Sequence, residues 1–248
     1  MNWYLIVDAL PLLLDGAILT AQLTIASIAL GSFIALPLAL LRASSSPWLS
    51  QPALLYTFVF RGTPLLVQLF LIYYGAGQVE WVRSSVAWSI LREPYWCALI
   101  AFSLNNAAYT TEILRGGIRA VSSGEIEAAK ALGMPYALRT RRIILPVAFR
   151  LSLPAYANEV VLMLKASSLA STITLMELTG TARKIVAQTF SPYEVFVSAA
   201  LIYLGFTFLI VHLFDCVEWR LAIHKSRIQT VNDNHGVEQA APMQEVSR

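Results

Sequence analysis

Five stretches of mainly apolar residues, each long enough to cross a bilayer as a helix, leave this chain few choices of fold. They run from about Ile18 to Leu41, Leu54 to Tyr74, Tyr95 to Leu114, Leu151 to Ala170 and Val195 to Phe214. A span needs roughly 20 such residues, and in lipid every backbone N–H and C=O must be bonded within the protein. The short alternating segments of a barrel are absent, so the sequence predicts an all-α polytopic membrane protein with five transmembrane helices. Composition agrees, with 57% of residues hydrophobic and only 13% charged. The net charge of +3 reflects where Lys and Arg fall across the membrane and describes no nucleic-acid face. Cys97 and Cys216 fall near opposite faces and the three histidines are scattered, which argues against a disulfide or a metal site.

One long polar-rich segment interrupts this pattern. Gly124 to Gly133 carries Glu125, Glu127 and Lys130, and Met134 to Arg142 adds Arg139, Arg141 and Arg142 before Ile143-Ile144-Leu145-Pro146. Ser122 and Glu125 have the spacing of a capping box, which starts a short helix near Gly124. Gly133 ends it, Pro135 opens a second helix, and Pro146 is expected to stop that second one. The product is a helix-turn-helix that must lie in water and is shaped to be gripped by a partner.

The Lys and Arg distribution sets the orientation. With the polar block in the cytoplasm, Arg42, Arg61, Arg115, Arg119, Lys130, Arg139, Arg141, Arg142, Arg150, Arg220, Lys225, Arg227 and Arg248 all fall on or near that side. Only Arg83, Arg92, Arg183 and Lys184 remain outside, which places the N-terminus outside and the C-terminus in the cytoplasm. Residues 1–17 read as a periplasmic N-terminal segment without the features of a cleaved signal, 18–220 as the transmembrane domain, and 221–248 as a disordered cytoplasmic tail. The polar loop occupies about 119–150. Between the second and third spans, Val79, Trp81, Val82, Val86, Trp88 and Ile90 suggest an interfacial helix, and Thr174 with Glu177 reads as a capping box for a short helix to about Thr189.

Polar groups inside spans are costly and mark candidate sites. Glu159, next to Asn158, falls well inside the fourth span, where it could either bind the cationic group of a solute or pair structurally with Arg61, Lys165 or a neighbouring subunit. Lys165 lies six residues on, rotated about 240° from Glu159, and does not share its face. Arg61-Gly62-Thr63-Pro64, with Gln68 one turn later, opens the second span; Pro64 frees the Phe60 carbonyl, an unwound turn of the kind where transporters place polar contacts. Arg61 could receive a carboxylate or serve as a snorkelling anchor near the cytoplasmic end. Asn105, Tyr109 and Glu112 form a stripe on the third span that either lines a path or glues helices. Gly116-Gly117 makes a flexible or closely packed exit into the polar block. No phosphate-binding loop, nucleophile elbow or metal motif is present, so the chain is not expected to be an enzyme or to bind a cofactor, and its energy source must be a partner.

Glu127-Ala128-Ala129, Gly133 and Ile143-x-Leu145-Pro146 resemble the EAA motif of ATP-binding-cassette importer permeases. Arg61-Gly62-Thr63-Pro64, Ala108 to Ile113, Gly124 to Ala129 and Pro154 to Glu159 extend the resemblance to the polar amino acid permease family from Gly16 to about Arg220. Within it the chain looks most like the M-type subunits of histidine/lysine/arginine/ornithine and octopine/nopaline permeases. The resemblance implies a type I importer (MetI-like) fold in the bacterial inner membrane. It implies a heterodimer with a Q-type permease subunit, two ATPase subunits that use ATP and magnesium, and a periplasmic solute-binding protein. It makes Glu125, Glu127, Ala128, Ala129, Gly133, Leu145 and Pro146 the ATPase-coupling residues, with Glu127 pairing to the ATPase and Ala128 and Ala129 allowing close approach. Together with the polar residues above, it suggests a path for cationic amino acids or opines through Glu159, Asn158, Arg61, Thr63, Gln68, Asn105, Tyr109 and Lys165. Glutamine or glutamate import is the alternative. A secondary transporter would show inverted repeats, and none is visible.

Overall fold

The computed structural model describes residues 3–44 and 46–222, which are almost wholly helical and contain no strand. Helix α1 (Trp3–Arg42) is followed by α2 (Pro47–Gly62) and α3 (Leu65–Phe70), then two single-turn helices, α4 (Glu80–Arg83) and α5 (Trp88–Leu91). Helix α6 (Pro94–Arg119) leads into the polar block of α7 (Ser123–Ala131) and α8 (Tyr136–Arg139), after which come α9 (Leu145–Ala166), α10 (Leu178–Thr189) and α11 (Pro192–Ala222).

α6 is the axis of the molecule. α1 packs along most of it, and α9 and α2 cover its other sides. Small residues make this close packing possible: Ala98, Ala101, Ala107 and Ala108 of α6, and Ala35 and Ala39 of α1, are fully buried. Gly31 of α1 lies where any Cβ would strike the Asn106 side chain. Phe102, Leu23, Leu69, Met163 and Ile173 fill one core, while Leu13 and Ala17 of α1, Leu178 and Ala182 of α10 and Val195 of α11 fill a second.

Several expectations are corrected here. α1 begins at Trp3, well before Ile18, because Pro11 lies within it without breaking it. The Pro146 stop does not occur: Tyr136–Ile173 is one continuous helical run, a π-helical turn at Thr140–Ile144 bridges α8 to α9, and Pro146 sits in the first turn of α9. A proline there lacks only an N–H that the wide turn leaves free. The second span is broken at Thr63–Pro64, its two halves bent by 101°, so Arg61 closes the first half, fourteen residues beyond Pro47, and does not open a span. The interfacial helix resolves into the two separate turns α4 and α5.

Among the described residues, three helices are long and apolar enough to cross a membrane, or four if the bent pair counts as one span. The remaining expected span, α6, has the length, with 26 residues, but carries Asn105, Asn106, Glu112 and Arg115. It tolerates them because other helices, and not lipid, surround it.

Candidate functional site

Two regions contain the residues singled out from sequence: the polar block, and the place where α2, α3, α6 and α9 meet.

In the block, Ser122 stands at the N-cap of α7 but its side chain makes no capping bond, so the expected capping box does not form. The C-terminal end is built as read. Gly133 adopts φ +73°, Met134 N–H donates to the Ala129 carbonyl at 3.1 Å and Gly133 N–H to that of Lys130 at 2.9 Å, a complete Schellman closure. Helical periodicity then separates two residues that were grouped together. Ala128 is exposed beside Glu125 and Glu127, whereas Ala129 is buried at 2%. Leu132 and Tyr136 are both largely exposed, with the Arg139 guanidinium 5.6 Å from the Tyr136 ring. Leu145 is half-buried and Pro146 exposed, while Ile144 and Ala148 next to them pack on Val121 and anchor the block to α6.

At the second region the broken helix supplies free backbone, and the side chains that satisfy it are the predicted ones. The Phe60 carbonyl, left unbonded by Pro64, accepts from Gln68 Nε2 at 2.8 Å and Asn105 Nδ2 at 3.3 Å. Gln68 also donates to the Thr63 carbonyl and hydroxyl and accepts from Asn105 at 3.1 Å. Arg61 is exposed with its guanidinium 5.3 Å from the Tyr109 ring, and Tyr109 donates to the Arg61 carbonyl at 3.5 Å. The stripe Asn105, Tyr109 and Glu112 therefore fastens α6 to α2: Glu112 accepts from Thr57, one turn before Arg61.

On α9, Glu159 is 7% exposed while Asn158 and Lys165 face outward. The Asn106 side chain lies beside the Glu159 carboxylate without donating a well-formed bond from Nδ2, and the Arg61 charge acts on it from farther away. Among the described residues no Lys or Arg forms an ion pair with Glu159. One turn earlier the Tyr156 hydroxyl meets Ser32 of α1 at 2.6 Å.

Sequence reasoning missed the densest polar cluster. Glu177 is fully buried and is itself the N-cap of α10, accepting from Thr179 N–H at 2.9 Å and Gly180 N–H at 2.8 Å. Thr20 of α1 and Tyr203 of α11 donate to the same carboxylate at 3.3 and 3.0 Å. Thr174, the cap expected there, instead takes a left-handed conformation with φ 69° and ends the preceding 3₁₀ turn.

A family model for the inner membrane component of binding-protein-dependent transport systems matches residues 27–223. The chain belongs to this family. The permease is 54% identical over 209 residues to the octopine transport system permease protein of Rhizobium meliloti, covering 84% of this chain and 85% of that one. It is 49% identical over 225 residues to the nopaline permease protein of Agrobacterium fabrum, covering 90% and 93%. It is 43% identical over 210 residues to the histidine/lysine/arginine/ornithine permease protein of Escherichia coli, covering 84% and 88%. Among solved structures, an amino acid ABC transporter crystallised with histidines matches with a TM-score of 0.79 at 35% identity, over 89% of this chain and 99% of that one. A methionine ABC transporter in an inward-facing state shares the fold, with a TM-score of 0.71 at 18% identity. The fold is thus that of MetI-like permeases, and the permease is the inner-membrane subunit of an ABC importer, with ATP hydrolysis assigned to a separate subunit and solute delivery to a binding protein.

Proposed function

We propose that this permease imports cationic amino acids or their opine conjugates, with Glu159 receiving the cationic group of the solute. The observation that carries the reading is the Glu159 carboxylate itself, buried at 7% in a span and without an ion-pair partner among the described residues. A carboxylate held in so little water needs a cation or a proton. Asn106 beside it and Tyr156 one turn away supply neutral donors, and Arg61, exposed at the break between α2 and α3, supplies the opposite charge for a solute carboxylate. A zwitterion with a cationic side chain matches that arrangement better than an acidic solute does. The names of the octopine, nopaline and histidine/lysine/arginine/ornithine relatives support the same class.

The polar block is the coupling element in this reading. Its exposed Glu127, Ala128, Leu132 and Tyr136 enter a cleft of the ATPase subunit, and closure of two ATP-loaded ATPase subunits drags the block and reorients the spans. The orientation that follows has the block and the C-terminus in the cytoplasm and the N-terminus outside, as the Lys and Arg asymmetry suggests. A Q-type sister permease completes the pair, and Asn158 and Lys165, exposed on α9, face either it or the path. The chain holds no cofactor of its own in this account. The proposed tail at 221–248 lies almost entirely outside the described residues.

Glu159→Gln tests the solute contact, because it removes the charge and keeps the shape. Uptake of arginine should fall sharply while the assembled complex is recovered at the wild-type level. Equal loss of complex and uptake would show that Glu159 is structural.

A further inference from the structure

Glu112 joins three helices at the end of α6 that enters the polar block. Its Oε1 lies 3.2 Å from Arg42 Nε and accepts from the Thr57 hydroxyl at 3.4 Å. Its Oε2 accepts from Arg115 Nε and lies equally close to Nη2, both at 2.6 Å. The three side chains are only 12–20% exposed. Charges so withdrawn from water stabilise little over an apolar packing of the same volume, so their presence asks for a role.

Position suggests the role. Arg42 is the last residue of α1, Thr57 lies on α2 one turn before Arg61, and Arg115 is one turn from Arg119, where α6 gives way to the block. The other leg of the block is fastened at the same level. Gly117 lets α6 approach the Ala148 backbone of α9, and the Ser152 hydroxyl donates to the Ile113 carbonyl at 3.2 Å. The apolar packing between α1 and α6 here is made by Ala35, Ala39 and Leu114, with Leu36 and Ile118 partly buried against them. Small side chains give close approach but little resistance to sliding, whereas Glu112 is hydrogen-bonded to the Arg115 guanidinium and stands 3.2 Å from Arg42 Nε, which makes no well-formed hydrogen bond, so that charge attraction ties the end of α1 to α6.

We infer that Glu112 is the positioning residue that carries displacement of the coupling block into α1 and α2, so that the ends of α1, α2, α6 and α9 move as one piece. The next contact along the same two helices is Tyr109 against Arg61, which delivers the displacement to the break at Thr63–Pro64. The inference rests on reading the polar block as the ATPase contact.

The test uses the full complex of both permeases, the ATPase and the binding protein, with spin labels at exposed Trp48 and Ser123 and with Cys97 and Cys216 replaced by serine. In the wild type, trapping with ATP and vanadate should leave the Trp48–Ser123 distance distribution unchanged. In Glu112→Gln and Arg42→Gln it should broaden or shift on trapping, and uptake of arginine or octopine should be lost while ATP hydrolysis persists; Glu112→Asp should restore both. Arg42→Gln keeps the Glu112–Arg115 pair, so the test stands if Glu112→Gln does not assemble. A wild-type distance that shifts on trapping, or variants that keep wild-type distances and coupling, would overturn the inference. A cysteine at Glu127 that cannot be cross-linked to the ATPase would overturn the reading of the block, and this inference with it.

Discussion

Gly116 and Gly117 are adjacent and chemically identical, yet the structure predicts opposite outcomes for the same substitution. A Cβ at Gly117 would stand 2.5 Å from the Ala148 carbonyl oxygen and closer still to the Ser152 hydroxyl. The hydroxyl can rotate away, but the carbonyl is part of the α9 backbone, so α6 and α9 must part. Overpacking of this kind costs about 1–3 kcal/mol, against which alanine returns about 0.5–1 kcal/mol of helix propensity. The net expectation for Gly117→Ala is a loss of about 1–2 kcal/mol, or about 2–8 °C in the unfolding midpoint of a chain this size. Nothing lies within 4 Å of a Cβ at Gly116, so Gly116→Ala keeps only the propensity gain. The assay is thermal unfolding of the purified complex in one detergent, wild type and both variants side by side. Gly117→Ala as stable as Gly116→Ala would refute the close-packed junction and the idea that both legs of the block are fastened together.

Glu177→Ala removes the acceptor of two backbone N–H groups and two hydroxyls; one lost cap and two orphaned hydroxyls amount to about 3 kcal/mol or more, read as a lower unfolding midpoint, and unchanged stability would contradict the cluster. Pro64→Ala restores an N–H able to compete for the Phe60 carbonyl, so the bend between α2 and α3 should open and uptake should fall with the complex intact, measured by label distances across the break. Glu127→Lys reverses an exposed charge that forms no ion pair among the described residues, so expression should hold while co-purification of the ATPase drops. Retention of the ATPase by that variant would count against the coupling role.

What the sequence made legible were features whose cause is local. Gly133 ends α7 because a left-handed closure needs a residue without a Cβ, and Pro64 frees the Phe60 carbonyl because its ring displaces the next turn. Gln68 sits one turn beyond and could be named for the same reason. Features that depend on distant partners were not legible. Glu177 looks like the fourth residue of a capping box, and nothing local shows that Thr20 and Tyr203 converge on it from 157 and 26 residues away. Arg42 reads as the charge that stops a span until Glu112 of α6 is seen beside it. The polarity of α6 could have been a clue in itself. A long helix carrying two asparagines, a glutamate and two arginines is stable in a membrane only when its neighbours shield it, which predicts the central position it occupies.

The most direct test of the account is ATP-dependent uptake in proteoliposomes that hold this permease, its sister subunit and the ATPase, supplied with the binding protein and a panel of arginine, histidine, octopine, glutamine and glutamate. The account predicts accumulation of a cationic amino acid or opine that depends on ATP and is lost in Glu159→Gln. Accumulation of glutamine or glutamate alone, or cationic uptake undiminished in Glu159→Gln, would contradict it.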